Sequence, residues 1–343
     1  MEPQKGQWNW IDDGVNAAHA AGLHILGLID GAPAWASKTP RATTGYYSLY
    51  NQPNADGVMA DWKEYARRTS EHFTGRIDDW EIWNEPWGKN FFNGTPEEYA
   101  ALLRAATPAI KAANPDAKVV GVSASVNYPG DWAPRVTAVA PSSFYDIVSF
   151  HDYSSALYGG PDSNSVRFIK SLESTLAQHG GERPLWNTEE GNFNLSSWYS
   201  SSPNGLGQQQ QLAWMVRFDV AQMGAGVRKL FYYTLGGDPP QGTDGLCALE
   251  YDRSIKPLLA ARAVLAYMVD GAKCTGRTEP VAGVDQYTFA FADGKSVQVL
   301  WSYDNKPHQM TVPENTKILD VMGNPLPSTG AISVGAEPIY VMP

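Results

Sequence analysis

Cysteine is nearly absent from this chain, with two residues, Cys247 and Cys274, in 343. Two thiols by themselves build neither a disulfide framework nor a zinc site. Basic residues are also few: Lys plus Arg is 26 against Asp plus Glu at 36, a net charge of −10, and no Lys/Arg run occurs. Phosphate-backbone binding needs clustered cations, so nucleic acid is excluded as a partner. No apolar stretch reaches the roughly 18 residues of a membrane span, which leaves no membrane partner to expect. Met1 to Trp10 is polar and has no h-region, so no signal peptide is visible there, and localisation stays unassigned. Aromatic rings, by contrast, are plentiful, at 12 Trp and 17 Tyr. Rings without accompanying cations suit the apolar C–H faces of sugars better than nucleotides. With 43% hydrophobic and 18% charged residues the composition is globular. The length allows two domains, or one large one with an appendage. A soluble acidic enzyme is the class these figures leave.

Along most of the chain apolar strands alternate with amphipathic helices. Helices are expected at Ile11 to Ala21, Met59 to Phe73, from Pro96 onward, Ser165 to His179, Gln208 to Met223 and Lys256 to Val269. The third carries a start signal: Thr95 as cap, Pro96 at the first helical position and Glu98 to complete a capping box. Strands are expected at Leu23 to Asp30, Ile77 to Trp83, Lys118 to Ser125, Phe144 to His151, Arg183 to Glu189 and Arg228 to Leu235. Six strands spaced by helices predict a parallel α/β fold of the barrel type. Beyond residue 272 the helical period disappears. Gln286 to Ala292, Ser296 to Tyr303, Gln309 to Val312, Lys317 to Met322 and Pro338 to Met342 read as short strands joined by turns. The expected architecture is therefore an α/β barrel domain over 1–272 and a small all-β sandwich over 273–343.

Barrel folds place their chemistry at the C-terminal ends of the strands. Here one strand ends Trp83-Asn84-Glu85-Pro86-Trp87 and another Asn187-Thr188-Glu189-Glu190-Gly191. Two carboxyl groups from different strand ends are what glycoside hydrolysis needs, one protonated for the leaving oxygen and one ionised to attack or to activate water. An aromatic setting such as Trp83 and Trp87 favours the protonated form of a buried glutamate. Glu190 competes with Glu189, since strand alternation turns only one of them inward. Glu81, two residues before Trp83, reads as structural. His151 reads as a core histidine, a metal ligand or a subsite residue. With six His and no His-x-x-x-His spacing, no metal site is expected. Trp35, Trp87 and Trp198 fit either core or loop anchors as well as sugar platforms.

WEIWNEP and WNTEEG, with FYDIVSFHDY between them, resemble the clan A glycoside hydrolases, the retaining (β/α)8 TIM barrels with one Glu after strand four and one after strand seven. LGLIDGAPAWAS and the C-terminal β domain are most similar to family 39, whose relatives include β-xylosidases and polysaccharide hydrolases. The resemblance implies that Glu85 is the general acid/base, with Asn84 bonding the sugar 2-hydroxyl, and that Glu189 is the nucleophile. It implies that His151 and Tyr153 line the −1 subsite and steady the nucleophile, and that Trp35 is a sugar-stacking wall. Tyr233 stands where the last strand of the family usually presents a Trp. The substrate implied is a β-glycoside, oligosaccharide or polysaccharide, and no cofactor is implied.

In the family's strand numbering, residues 2–10 resemble the segment after strand two, so the barrel is expected to be incomplete. Open sheet edges expose unpaired backbone groups. A homo-oligomer covering the open edge is the corresponding expectation. A sugar-binding protein with little or no turnover is the rival from another class, because a loosened barrel can misplace its catalytic pair. The sugar preferred, and exo or endo action, depend on the loops at residues 37–52 and 192–207.

Overall fold

The helix expected after Trp10 forms over Asp12–Ala20 (α1) and stops before Gly22, whose φ of 75° lies in the left-handed region that glycine adopts freely. The computed structural model describes residues 1–37, 59–127, 130–154, 163–191, 207–236, 246–250, 252–314, 316–328 and 330–342. Trp198 and nearly all of the two loops named above lie outside the described residues. Two compact units are present, one of Met1–His151 with Ser171–Trp186, the other of Asp152–Lys170 with Asn187–Pro343.

Six strands form one sheet in chain order: β1 (Leu26–Ile29), β2 (Asp79–Ile82), β3 (Lys118–Ser125), β4 (Ile147–Asp152), β5 (Leu185–Glu190) and β6 (Val227–Tyr232). β1, β2, β3 and β4 pair in parallel. Helices α2 (Ala60–Phe73), α3 (Pro96–Ala113) and α4 (Trp132–Val139) make the crossovers among these first four strands. Among the described residues the sheet is that of an incomplete TIM barrel, with six strands where a closed one has eight. The helix α3 starts as its sequence predicts: Thr95 Oγ1 accepts from the Glu98 backbone N–H at 3.2 Å, and the Glu98 carboxylate accepts from the Thr95 N–H at 2.9 Å. The sequence reading assigns no element to 132–139, where α4 stands. Two turns are too few for a helical period to show, and Pro134 sits in the first turn, where no intrahelical N–H is required.

Close packing inside the first unit depends on Gly27 in β1. A Cβ there would run into the six-membered ring of Trp80, which is buried against β1, and would lie 3.0 Å from Ile77 Cγ2. Gly27→Ala is expected to destabilise the protein by about 1–3 kcal/mol, the usual cost of overpacking, measured as a lower midpoint in urea.

Helix α5 (Asn164–Gln178) lies between β4 and β5 in the chain, and the second unit holds α6 (Gln208–Gly224), α7 (Pro257–Val269) and the C-terminal strands. An antiparallel sheet runs in the order β12 (Pro325–Leu326), β11 (Lys317–Leu319), β14 (Ile339–Met342), β9 (Ser296–Ser302), β8 (Val284–Ala290), β7 (Lys273–Thr278). A second sheet pairs β10 (His308–Thr311) with β13 (Ala331–Val334). Side-chain alternation divides the core between two faces. Val299, Trp301, Phe289 and Tyr340 pack with α6 and α7, whereas Leu300, Ile339 and Val341 pack with Ile332 and Val334 of β13. β7, β12 and β13 are absent from the sequence reading. β7 is an edge strand of largely exposed polar residues, so it carries no apolar alternation, and the other two have only two and four residues.

Candidate functional site

β2 ends in an uncommon backbone. Trp83 and Glu85, neither of them glycine, both adopt positive φ, 67° and 44°. Such conformations cost on the order of 1–3 kcal/mol each and persist where the surroundings over-determine them. The surroundings here are visible. The Trp83 backbone N–H donates to Ile29 O at 3.0 Å, its indole N–H donates to Phe91 O at 3.0 Å, and its ring meets Phe92 edge-on. The Gly88 N–H closes a turn on Glu85 O at 2.8 Å. The Glu85 side chain lies at this turn with Asn84 and Trp87 half-buried on either side of it in the chain. Oε1 of Glu85 meets Nδ1 of His151 at 2.9 Å, and the two side chains are 12% and 4% exposed. This contact joins a strand-end carboxyl group to a buried imidazole. His151 comes from β4, and its carbonyl accepts from the Val126 N–H at 3.1 Å.

β5 ends in two glutamates with different surroundings. The Tyr153 hydroxyl donates to Glu189 Oε1 at 2.5 Å. Glu190 is fully buried; Arg262 Nη1 donates to its Oε1 at 2.9 Å, and Gln222 Nε2 and Asn187 Nδ2 donate to its Oε2 at 3.0 Å each. Glu190 is thus enclosed by protein donors, whereas Glu189, half-buried, meets a tyrosine from the segment after β4. Arg262 of α7 and Asp219 and Gln222 of α6 were not among the residues singled out from the sequence. The available signal was a pair of polar residues three apart on a helix whose face is otherwise buried. Gly191 follows because a Cβ would lie 2.7 Å from Tyr233 O. The Tyr233 N–H donates to Glu190 O at 2.7 Å, and its side chain is 40% exposed at the end of β6.

Trp35 stands in the first unit, beyond β1. It lines a cleft of about 860 Å³ together with Asp30, Asp61 and Tyr65. Its indole N–H donates to Glu2 O at 3.1 Å, and the Lys5 ammonium lies over its ring at 5.7 Å. Burial pushes the Asp30 carboxyl in this cleft up to about 6.

Asp152, the last residue of β4, is completely buried. Its Oδ1 accepts from the Ser154 N–H and hydroxyl at 2.8 and 2.6 Å. Burial first, opposed by hydrogen bonds from Ser154 and Ser165 and reinforced by the Glu190 charge, pushes this carboxyl up to about 6. A carboxyl whose folded pKa is raised holds its proton in the native state over a range where the unfolded chain has lost it. Its contribution is therefore most favourable below the unfolded pKa and is lost as pH rises to the folded one. Asp152→Asn removes that cost. It is expected to raise stability by about 2 kcal/mol near pH 8 and to give no gain near pH 4, read from unfolding midpoints at the two values.

Residues 39–178 match the model of glycosyl hydrolases family 39. No curated protein matches the chain in sequence. Among solved structures it is similar to a family 39 glycoside hydrolase from the gut symbiont Bacteroides cellulosilyticus WH2, with a TM-score of 0.76 and 19% identity over 99% of this chain and 72% of that one. A family 39 β-xylosidase from Caulobacter crescentus aligns with a TM-score of 0.66 and 16% identity, over 100% of this chain and 85% of the other. A glucosidase from Croceicoccus marinus aligns with a TM-score of 0.66 and 15% identity, over 100% and 83%. At these identities the structural likeness speaks for the fold and the family match for the chemistry. Neither favours binding without turnover.

Proposed function

From the premise that the chain is a glycosidase of the family 39 type, we propose that it hydrolyses β-glycosidic bonds with retention, Glu85 acting as acid and base and Glu189 as nucleophile. The observation that carries this reading is the different dressing of two carboxyl groups at strand ends of one parallel barrel sheet. Glu85 shares a proton contact with a buried histidine, which suits a group that gives and takes a proton. Glu189 accepts from a tyrosine hydroxyl, which holds a carboxylate oriented for attack.

In the first step Glu189 attacks the anomeric carbon as the bond to the leaving oxygen breaks. The electron pair goes to that oxygen, which takes the proton of Glu85. In the second step Glu85 removes a proton from water, the water oxygen bonds the anomeric carbon, and the ester to Glu189 breaks to return the carboxylate. This route works with carboxyl groups roughly 5–5.5 Å apart, whereas inversion needs roughly 6.5–9.5 Å to admit a water. Asn84 would bond the 2-hydroxyl, Tyr233 and Trp87 would flank the sugar, and Trp35 would serve a more distant unit of the chain.

The test is a panel of p-nitrophenyl β-glycosides, with the anomer first formed followed by proton NMR. Release of the β-anomer supports retention, and release of the α-anomer sinks it. Preference within the panel between xyloside and glucoside names the sugar. No release on any of them while β-linked polysaccharides are cut would assign endo action.

A further inference from the structure

We infer that the buried cluster of Arg262, Glu190 and Asp219 is a positioning device for Glu189, and this rests on Glu189 being the nucleophile. Glu190 is one peptide link from Glu189 and is pinned at both carboxylate oxygens by donors from three elements: Asn187 on β5, Gln222 on α6 and Arg262 on α7. Arg262 is itself held from the other side by Asp219, at 2.8 Å to Oδ2, and its guanidinium lies 5.0 Å from the centre of the Tyr232 ring. The Glu190 carbonyl takes the Tyr233 N–H, so the same residue also sets where the end of β6 stands.

Stability alone does not call for this arrangement. Replacing a buried ion pair by well-packed apolar residues is commonly neutral or stabilising. What an apolar residue lacks is a fixed orientation, and an orientation fixed at residue 190 limits the rotation of the backbone carrying residue 189. Burial holds the Asp219 carboxyl well above its usual range, reinforced by Glu190 and opposed by Arg262. Displacing a reacting carboxylate by about 1 Å can cost on the order of a hundredfold in rate.

The variant Glu190→Gln keeps the shape but turns an amide N–H toward the Gln222 and Asn187 donors. In the full chain, on whichever p-nitrophenyl glycoside is cleaved best, it is expected to lower kcat about 10- to 100-fold with KM within about threefold. Adding Gln222→Glu reverses donor and acceptor and is expected to recover most of the loss. The matching 2-deoxy-2-fluoro glycoside with a dinitrophenol leaving group, followed by peptide mass mapping, reports separately on the nucleophile. Label absent from Glu189 in wild type overturns that assignment and the inference with it. Label at Glu189, with kcat unchanged in Glu190→Gln or not recovered by the swap, overturns the inference alone. Should Glu190→Gln fail to fold, Asp219→Asn removes the far anchor of Arg262 and is read the same way, with about a three- to tenfold fall in kcat expected.

Discussion

Glu189→Gly is expected to lower kcat by on the order of ten-thousandfold or more, the scale on which loss of a covalent nucleophile acts. The protein should stay folded, because Glu189 is half-buried at a strand end and the Tyr153 hydroxyl donates to it there. Such a bond contributes about 1 kcal/mol net, and its partner is a hydroxyl that water can satisfy at a part-open site. The shortened side chain leaves room for a small anion. Added azide should therefore restore turnover of a dinitrophenyl glycoside and give the α-glycosyl azide, since azide attacks from the side the carboxylate has vacated. Turnover by Glu189→Gly within tenfold of wild type would remove Glu189 from the mechanism. Glu190 would not be its natural replacement, because its carboxylate is already enclosed by Arg262, Gln222 and Asn187.

Glu85→Gln is expected to cost on the order of 10²- to 10⁴-fold, the range of general acid–base catalysis, and the loss should depend on the leaving group. A poor leaving group such as an alkoxide needs the proton and should suffer the full loss. A dinitrophenolate leaves without one, so formation of the glycosyl-enzyme should be nearly spared and the covalent species should accumulate as a burst. The pH profile should change with it: the limb of kcat/KM that reports the acid should flatten in Glu85→Gln. Equal loss on both leaving groups would mean that Glu85 supports the site without transferring a proton, with the His151 contact as a structural pair.

The alternation of strand and helix over the first 272 residues, and the capping box at Thr95, are local features. Each is settled by residues within a turn or two of one another, which is why the strand Lys118 to Ser125 and the helix from Pro96 stand where the pattern places them. Elements whose residues carry little local signal escape such a reading. α4 is two turns long, and β7 is a polar edge strand that becomes a strand only because β8 offers it a ladder of hydrogen bonds.

Glu85 and Glu189 were legible as candidates because strand-end position and residue type are both written along the chain. The sequence by itself thus determined the order of elements and the two carboxyl-bearing strand ends. Only the tertiary structure decided what each carboxyl group meets. His151 reaches Glu85 across 66 residues of chain, Gln222 reaches Glu190 across 32 and Arg262 reaches it across 72. Contacts over such separations follow from how strands are ordered in the sheet and which helix faces pack behind them. No local periodicity contains that information, and it is what encloses Glu190 in buried donors while Glu189 meets a tyrosine hydroxyl.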